Sequence, residues 1–357
     1  MKKILVFLFL FVSLVSSAQD NRFECDDTCS PEETGQVTYN VVSPVGFSTV
    51  EPITMAPRLN TLDGKTIAIV GEDFMYNITH PALKQLIKEN YPTAKVIMYD
   101  ELPIAGPYPA PGIVRQSTEE FRQRLIDLKV DAVIAGNGGC GICTPKETGS
   151  CIVAEKLGIP SVIVTAPGFD EEARYTARNN GVPVLRVAVY PGAFASHTEE
   201  QLVKNTREVT WPQIVKALTT PISQDEYSAT QAAQGITDDV FHGTLDEIYA
   251  YFQKMGWSDG APFCPPTYHK VKEYLDYTDH AWDETIAVLP AAFRQTTTWH
   301  VAVNACMAGC KPEYMPILIA MTKAMAGGDF RRTLQSTHAW VPYSWLNGPV
   351  ARQLGIS

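Results

Sequence analysis

The chain has 357 residues, 45% of them hydrophobic, with 25 prolines, 24 glycines and a formal net charge of −10. That length suits about two domains of roughly 100–200 residues each, and the acidic balance argues against a nucleic acid or an anionic membrane surface as partner. Eight cysteines over this length are too sparse for a small disulfide-framework fold.

Met1-Lys2-Lys3 is a short basic start, Ile4 to Val15 is apolar, and Ser16-Ser17-Ala18 supplies small residues. The pattern predicts a secretory signal peptide over 1–18, too short for a membrane span. It implies an exported protein, periplasmic or secreted, with no membrane partner. Residues 19–63 alternate polar, proline and short apolar pieces and are expected as an extended arm. Cys25 and Cys29, in the acidic segment Glu24 to Cys29, are read as a local disulfide.

From Lys65 the pattern becomes regular. Short apolar runs rich in β-branched residues predict strands at Thr66–Val70, Lys95–Asp100, Asp131–Ala135, Ser161–Thr165 and Val184–Val189. Helical patterns lie between and after them, at Pro81–Asn90, Thr118–Leu128, Thr144–Leu157, Asp170–Asn180 and Thr198–Leu218. This alternation predicts an α/β fold over 64–220, a five-strand doubly wound parallel sheet with helices on both faces. Residues 221–240 read as a polar linker. A smaller α+β domain is expected over 241–357, with helices at Leu245–Met255, Thr297–Ala308 and Pro312–Met325 and a strand at Glu284–Phe293. Another helix, capped by Thr267, is expected to run to Leu275.

Ligands of doubly wound sheets bind outside the carboxyl ends of the strands. Those ends carry Gly71-Glu72-Asp73-Phe74 and the run Asn137-Gly138-Gly139-Cys140-Gly141-Ile142-Cys143-Thr144-Pro145. An apolar strand there meets a glycine turn that delivers two cysteines where the next helix begins. Proline in a first helical turn sacrifices no hydrogen bond. Free N–H groups and the positive end of the helix dipole favour an anion at that place, and a thiol so placed ionises more easily than a free cysteine. Two cysteines at this spacing can also close a disulfide.

Gly136, Gly138 and Gly141 match the spacing of a dinucleotide fingerprint. They follow the third expected strand instead of the first, and Thr165 and Ala166 occupy the place where an acidic residue would hold the ribose. The glycines are better explained by a sharp turn that leaves the sulfurs uncovered. A structural zinc site would need two further ligands that the neighbouring sequence does not offer, so no metal and no organic cofactor are expected. In the second domain Cys310 and Asn304 are the site candidates. His300 and Cys306 share their stretch, where a core-facing helix is the plainer reading.

The Cys140-Gly-Ile-Cys143 segment with its flanking strands resembles the UGSC family of selenoproteins and their cysteine forms, in which selenocysteine often stands where Cys140 does. Ile142 replaces the family's usual serine. The blocks Trp257 to Thr267, Val303 to Pro316 and Leu346 to Ile356 resemble the downstream domain of these proteins, so the likeness runs over 64–357. More remotely, the architecture is similar to the selenoprotein B component of glycine reductase, in which a selenol attacks substrate. Family members look cytosolic and continue past the Asn347-Gly348-Pro349 block. The export signal is therefore a departure, and the second domain is expected to be truncated.

Together these features imply a thiol-dependent reductase or lyase acting on a small molecule. Cys140 is the expected nucleophile and Cys143 the resolving thiol, with Asn137, Gly138, Gly139, Gly141, Thr144 and Glu72 shaping the site. An external thiol reductant would reopen the disulfide, the second domain would close over the site, and a second copy or a complementary chain is an expected partner. The competing reading is an exported thiol protein that captures a soft metal without turnover.

Overall fold

The computed structural model describes residues 30–31, 37–102, 114–228, 235–290, 293–327 and 344–355. The expected signal peptide and the Cys25–Cys29 pair lie outside them. The chain divides into two units, one formed by 50–232 and the other by the residues on either side of it.

The central unit is built on β1 (Thr66–Val70), β2 (Lys95–Ile97), β3 (Ala132–Gly138), β4 (Ser161–Thr165) and β5 (Arg186–Val189). They form one all-parallel sheet in the order β2-β1-β3-β4-β5. Helices surround it, among them α1 (Tyr76–Asn90), α2 (Val114–Asp127), α3 (Cys143–Lys156), α4 (Asp170–Asn179), α5 (Glu199–Asn205) and α6 (Trp211–Thr219). Successive strand residues point to opposite faces, and both faces are apolar. Ile67, Ile69, Ile134, Val162 and Val164 pack with Leu83 and Ile87 of α1 and with Leu202 and Ile214 of α5 and α6. Ala68, Val70, Val133, Ala135 and Ile163 pack with Phe121 of α2, Cys151 of α3 and Ala177 of α4. Burial on both faces explains why the strands read as unbroken apolar runs.

Local chemistry adjusts several expected boundaries. The second strand stops at Ile97, and Tyr99–Glu101 turn into a 3₁₀ helix in which the Glu101 carboxylate accepts from the Met98 N–H at 3.3 Å. The first helix begins at Tyr76, five residues before Pro81, and the proline lies inside it. The single helix expected over 198–218 is broken by a π-helical turn at Thr206–Thr210, just ahead of Pro212, whose nitrogen cannot donate. Its start is fixed by a reciprocal cap between Thr198 and Gln201.

Where the residues of the expected extended arm, 19–63, are described, they take part in both units. Val37–Val42 pairs antiparallel with Asp239–Thr244, and Phe47–Ser48 pairs with Arg294–Thr297. Residues 50–63 belong to the central unit, where Ile53 N–H donates to Gly181 O at 2.8 Å and Leu59 N–H to Leu218 O at 2.9 Å. The Arg58 guanidinium forks onto Glu155 of α3 at 2.9–3.0 Å. That carboxylate also accepts from the Ser161 N–H at 2.8 Å and hydroxyl at 2.9 Å. The expected linker is likewise partly ordered: Gln224–Ser228 is helical, and Glu226 pairs with Arg186.

The flanking unit holds small antiparallel sheets, including Thr285–Leu289 against Arg294–Thr297, and helices at Leu245–Lys254, Tyr268–Leu275, Thr298–Met307 and Met315–Met325. Thr267 caps the second of these by accepting from Lys270 N–H at 3.3 Å. Its core gathers Val41, Phe252, Val271, Trp299, Val303 and Leu318. No helix among the described residues is long and apolar enough to cross a membrane.

Candidate active site

Strand order reverses between β1 and β3, so the loops leaving these two strands diverge and open a crevice at their carboxyl ends. The turn Gly139–Ile142 leaves β3 at this point, and α3 begins at Cys143. Cys140 and Cys143 are joined as a disulfide, with Cα atoms 5.3 Å apart, a normal span for such a bond.

The first turn of α3 offers the sulfur one aimed donor. Thr144 N–H is taken by the Cys140 carbonyl at 3.0 Å, Lys146 N–H by the Ile142 carbonyl at 3.2 Å, and Pro145 has none. The Cys143 N–H points at Cys140 Sγ, 3.0 Å away. Cys140 is half-buried and Cys143 buried, while Ile142 between them is 53% exposed. The turn therefore leaves Cys140 the more accessible residue of the pair.

Close packing explains the glycines. A Cβ on Gly138 would press on Thr144 at 3.0 Å, and one on Gly139 would press on the Phe74 ring at 3.2 Å. Asn137 is buried and its amide N–H groups donate to the Phe74 carbonyl at 2.7 Å and to Thr79 Oγ1 at 2.9 Å. Its Oδ1, with Thr144 Oγ1 and Thr165 Oγ1, is buried without a hydrogen-bond partner among the described residues. Thr165 stands opposite Gly138 in the sheet register, so these polar atoms line the back of the turn.

The loop after β1 contributes more than the sequence indicates. Glu72 is exposed, and its charge helps hold the Tyr99 phenol above its usual range, an effect led by desolvation. The link to α3 is made by its neighbour. Asp73 pairs with Lys146 at 2.8 Å, and Lys146 reaches Glu147 at 3.3 Å. Glu147 is buried one turn along α3 from Cys143, on the same helix face. Burial pushes its carboxyl up to about 8, against the opposing charge of Lys146 and reinforced by Asp73. A Cβ on Gly71, whose φ is +106°, would collide with this carboxylate and with the Gly136 carbonyl. His80 lies behind, its Nε2 3.2 Å from the Gly71 carbonyl. A carbonyl only accepts, so Nε2 carries the hydrogen. Burial pushes this imidazole down to about 4, against the pull of the Gly71, Gly136 and Val70 carbonyls. Lys146, Glu147 and His80 sit in helical stretches with no motif to mark them.

A cleft of about 270 Å³ runs beside the turn, walled by Phe74 and Gly139 on one side and by Ala166, Pro167, Phe169 and Phe194 on the other. Under its far wall Tyr190 stacks on Phe194 at 4.4 Å, and the Tyr190 hydroxyl meets His197 Nδ1 at 2.7 Å and accepts from Asn205 at 3.0 Å.

The remaining candidates, Asn304 and Cys310, lie in the flanking unit. The Asn304 amide donates to the carbonyls of Pro44 at 3.0 Å and His300 at 2.8 Å. Burial pushes the Cys310 thiol up to about 12. The described residues contain no cluster of three or more His, Cys, Asp or Glu side chains placed to hold a metal ion.

No curated protein matches the chain. The family model described as UGSC family matches residues 40–220, which covers all five strands of the parallel sheet, the cysteine turn and the walls of the cleft. With more than half of its length matched, the chain belongs to the UGSC family.

Proposed function

We propose that the protein is a thiol-dependent reductase of a small, largely uncharged molecule, with Cys140 as nucleophile and Cys143 as resolving thiol. The observation that carries the proposal is the cross-linked pair at the topological switch point, with the Cys143 N–H aimed at Cys140 Sγ. The Cys140 thiolate attacks an electrophilic centre of the substrate, breaks its bond to a leaving group that departs with the electron pair, and forms a covalent adduct. Cys143 then loses its proton and attacks Cys140 Sγ, and the adduct bond breaks with its electron pair leaving on the product. Two electrons pass from the cysteine pair to the product. An external thiol reductant returns them and is itself oxidised to a disulfide. A lyase would have no use for the disulfide, so the cross-link favours the reductase reading. The apolar cleft beside Gly139 is at the small end of ligand pockets and suits a compact substrate. Export to an oxidising compartment, as the basic and apolar first residues imply, would make the external reductant essential.

Glu147 extends the sequence reading. A buried carboxyl whose pKa is raised to about 8, one turn from Cys143, is ionised in a minor fraction at neutral pH, and in that form it can take the resolving thiol's proton and pass it to the departing product. Trapping tests the scheme. Reduced Cys143→Ser protein exposed to a small disulfide probe such as 5,5′-dithiobis(2-nitrobenzoate) should retain one probe half on Cys140, found by peptide mass analysis, whereas Cys140→Ser should retain none at this turn. Labelling of Cys143 in preference to Cys140 in the unmodified chain would reverse the roles. Stoichiometric zinc or copper(I) held by reduced protein, with loss of thiol reactivity, would favour the metal-binding reading.

A further inference from the structure

A second pair of thiols lies in the flanking unit. Cys264 is in the loop before the helix Tyr268–Leu275, and Cys306 is near the end of the helix Thr298–Met307. Their sulfurs are 3.7 Å apart although the residues are 42 positions apart in sequence. Loop and helix are also tied through the backbone, since Cys264 N–H donates to the Met307 carbonyl at 3.3 Å. Cys306 is wholly buried and faces the Pro265 carbonyl at 3.8 Å, whereas Cys264 is half-buried. Lys270, held to Glu273 at 2.9 Å, brings an ammonium whose charge acts on both sulfurs. Cys310 follows one turn after Cys306, buried, with its own N–H donated to Ala305.

We propose that Cys264 and Cys306 are a second dithiol of this protein, oxidised to an intramolecular disulfide by small-molecule disulfides, with Cys264 as the entry sulfur. The sulfurs already touch, so the bond at about 2.05 Å needs only a small approach of the two side chains. The accessibility of the pair is asymmetric: Cys264 is half-buried and Cys306 wholly buried. The Cys264 thiolate attacks an external disulfide, forms a mixed disulfide and releases one thiolate. Cys306 then gives up its proton and attacks Cys264 Sγ, releasing the second thiolate. The protein loses two electrons and two protons, and the external disulfide becomes two thiols. The hydrogen bond to Cys264 together with burial holds the Cys306 thiol well above the usual cysteine range, which leaves the first attack to Cys264. The product would staple the proline loop to the helix and close a loop of about forty residues in the flanking unit, a constraint on the unfolded chain. It does not depend on the chemistry assigned to Cys140.

Peptide mapping of the full chain tests this. Reduced protein is equilibrated with excess oxidised glutathione, quenched with N-ethylmaleimide in denaturant, digested without reductant and analysed by mass spectrometry. The expected product is a linked pair of peptides carrying Cys264 and Cys306, with Cys310 alkylated. Cys306→Ser should instead hold glutathione on Cys264, and Cys264→Ser should hold none on Cys306. Because the map of the unmodified chain is itself decisive, a variant that fails to fold does not remove the test. Alkylation of both Cys264 and Cys306 after oxidation, or a link from Cys306 to Cys310, would overturn the proposal. Either result leaves the Cys140–Cys143 scheme standing.

Discussion

Glu147 is the residue whose environment matters most for the proposed chemistry. Its folded pKa, about 8, is raised above the ordinary 4.5, so the fold favours its protonated form. That contribution to stability is complete below pH 4.5 and is lost as pH rises through about 8. His80 has the opposite sense. Its pKa falls from 6.5 to about 4, so its contribution is present above pH 6.5 and is lost as pH falls through about 4. Glu147→Gln keeps the shape and removes the proton. Urea unfolding of this variant should lack the decline between pH 4.5 and 8 that the parent shows. In stopped-flow experiments, closure of the mixed disulfide by Cys143 should slow by about 10²-fold at neutral pH, the lower range for a positioned acid or base. Alkylation of Cys140 should change less than twofold. An unchanged closure rate would remove Glu147 from the scheme. The cysteine turn was legible in the sequence because strand, glycines and cysteines are contiguous. Glu147, Lys146, Asp73 and His80 were not, because their roles arise only where β1, α1 and α3 meet in space.

Among the elements, α3 departs furthest from its sequence pattern. Charged and hydroxyl residues are spread all round it, yet Glu147, Thr148, Ser150 and Glu155 are buried. A helix covered on every side shows no apolar stripe to read. Glu155 is tolerated because Arg58, Ser161 and the Ala56 N–H, at 3.2 Å, satisfy its oxygens. Glu155→Ala would leave the Arg58 guanidinium buried and unpaired, which costs about 3–5 kcal/mol when a buried pair is broken. Denaturant titration should show that loss, and a change below about 1 kcal/mol would mean that water reaches the pair. The parallel strands were legible within a few residues because burial on both faces makes each a continuous apolar run. The short strands of the supposed arm were not. Val41 pairs with Phe241, two hundred positions away, and no local pattern encodes such a partner.

At the scale of the whole molecule, the central α/β unit interrupts the flanking one in sequence, so two chain crossings join them. The family match covers all of the central sheet and stops at residue 220, which places the cysteine turn, the polar cluster behind it and the apolar cleft together in the family's shared portion. Among the other described thiols Cys264 is half-buried like Cys140, so its reaction must be subtracted, whereas the rest compete poorly. Cys151, Cys306 and Cys310 are buried, and burial pushes the thiols of Cys151 and Cys310 up. One measurement therefore reaches the central claim. Iodoacetamide alkylation of reduced Cys143→Ser protein is followed from pH 5 to 10, with the Cys140→Ser, Cys143→Ser double variant subtracted to remove all other cysteines. The nucleophile role of Cys140 predicts a rate midpoint below the ~8.5 of a free cysteine. A midpoint at or above that value would contradict it.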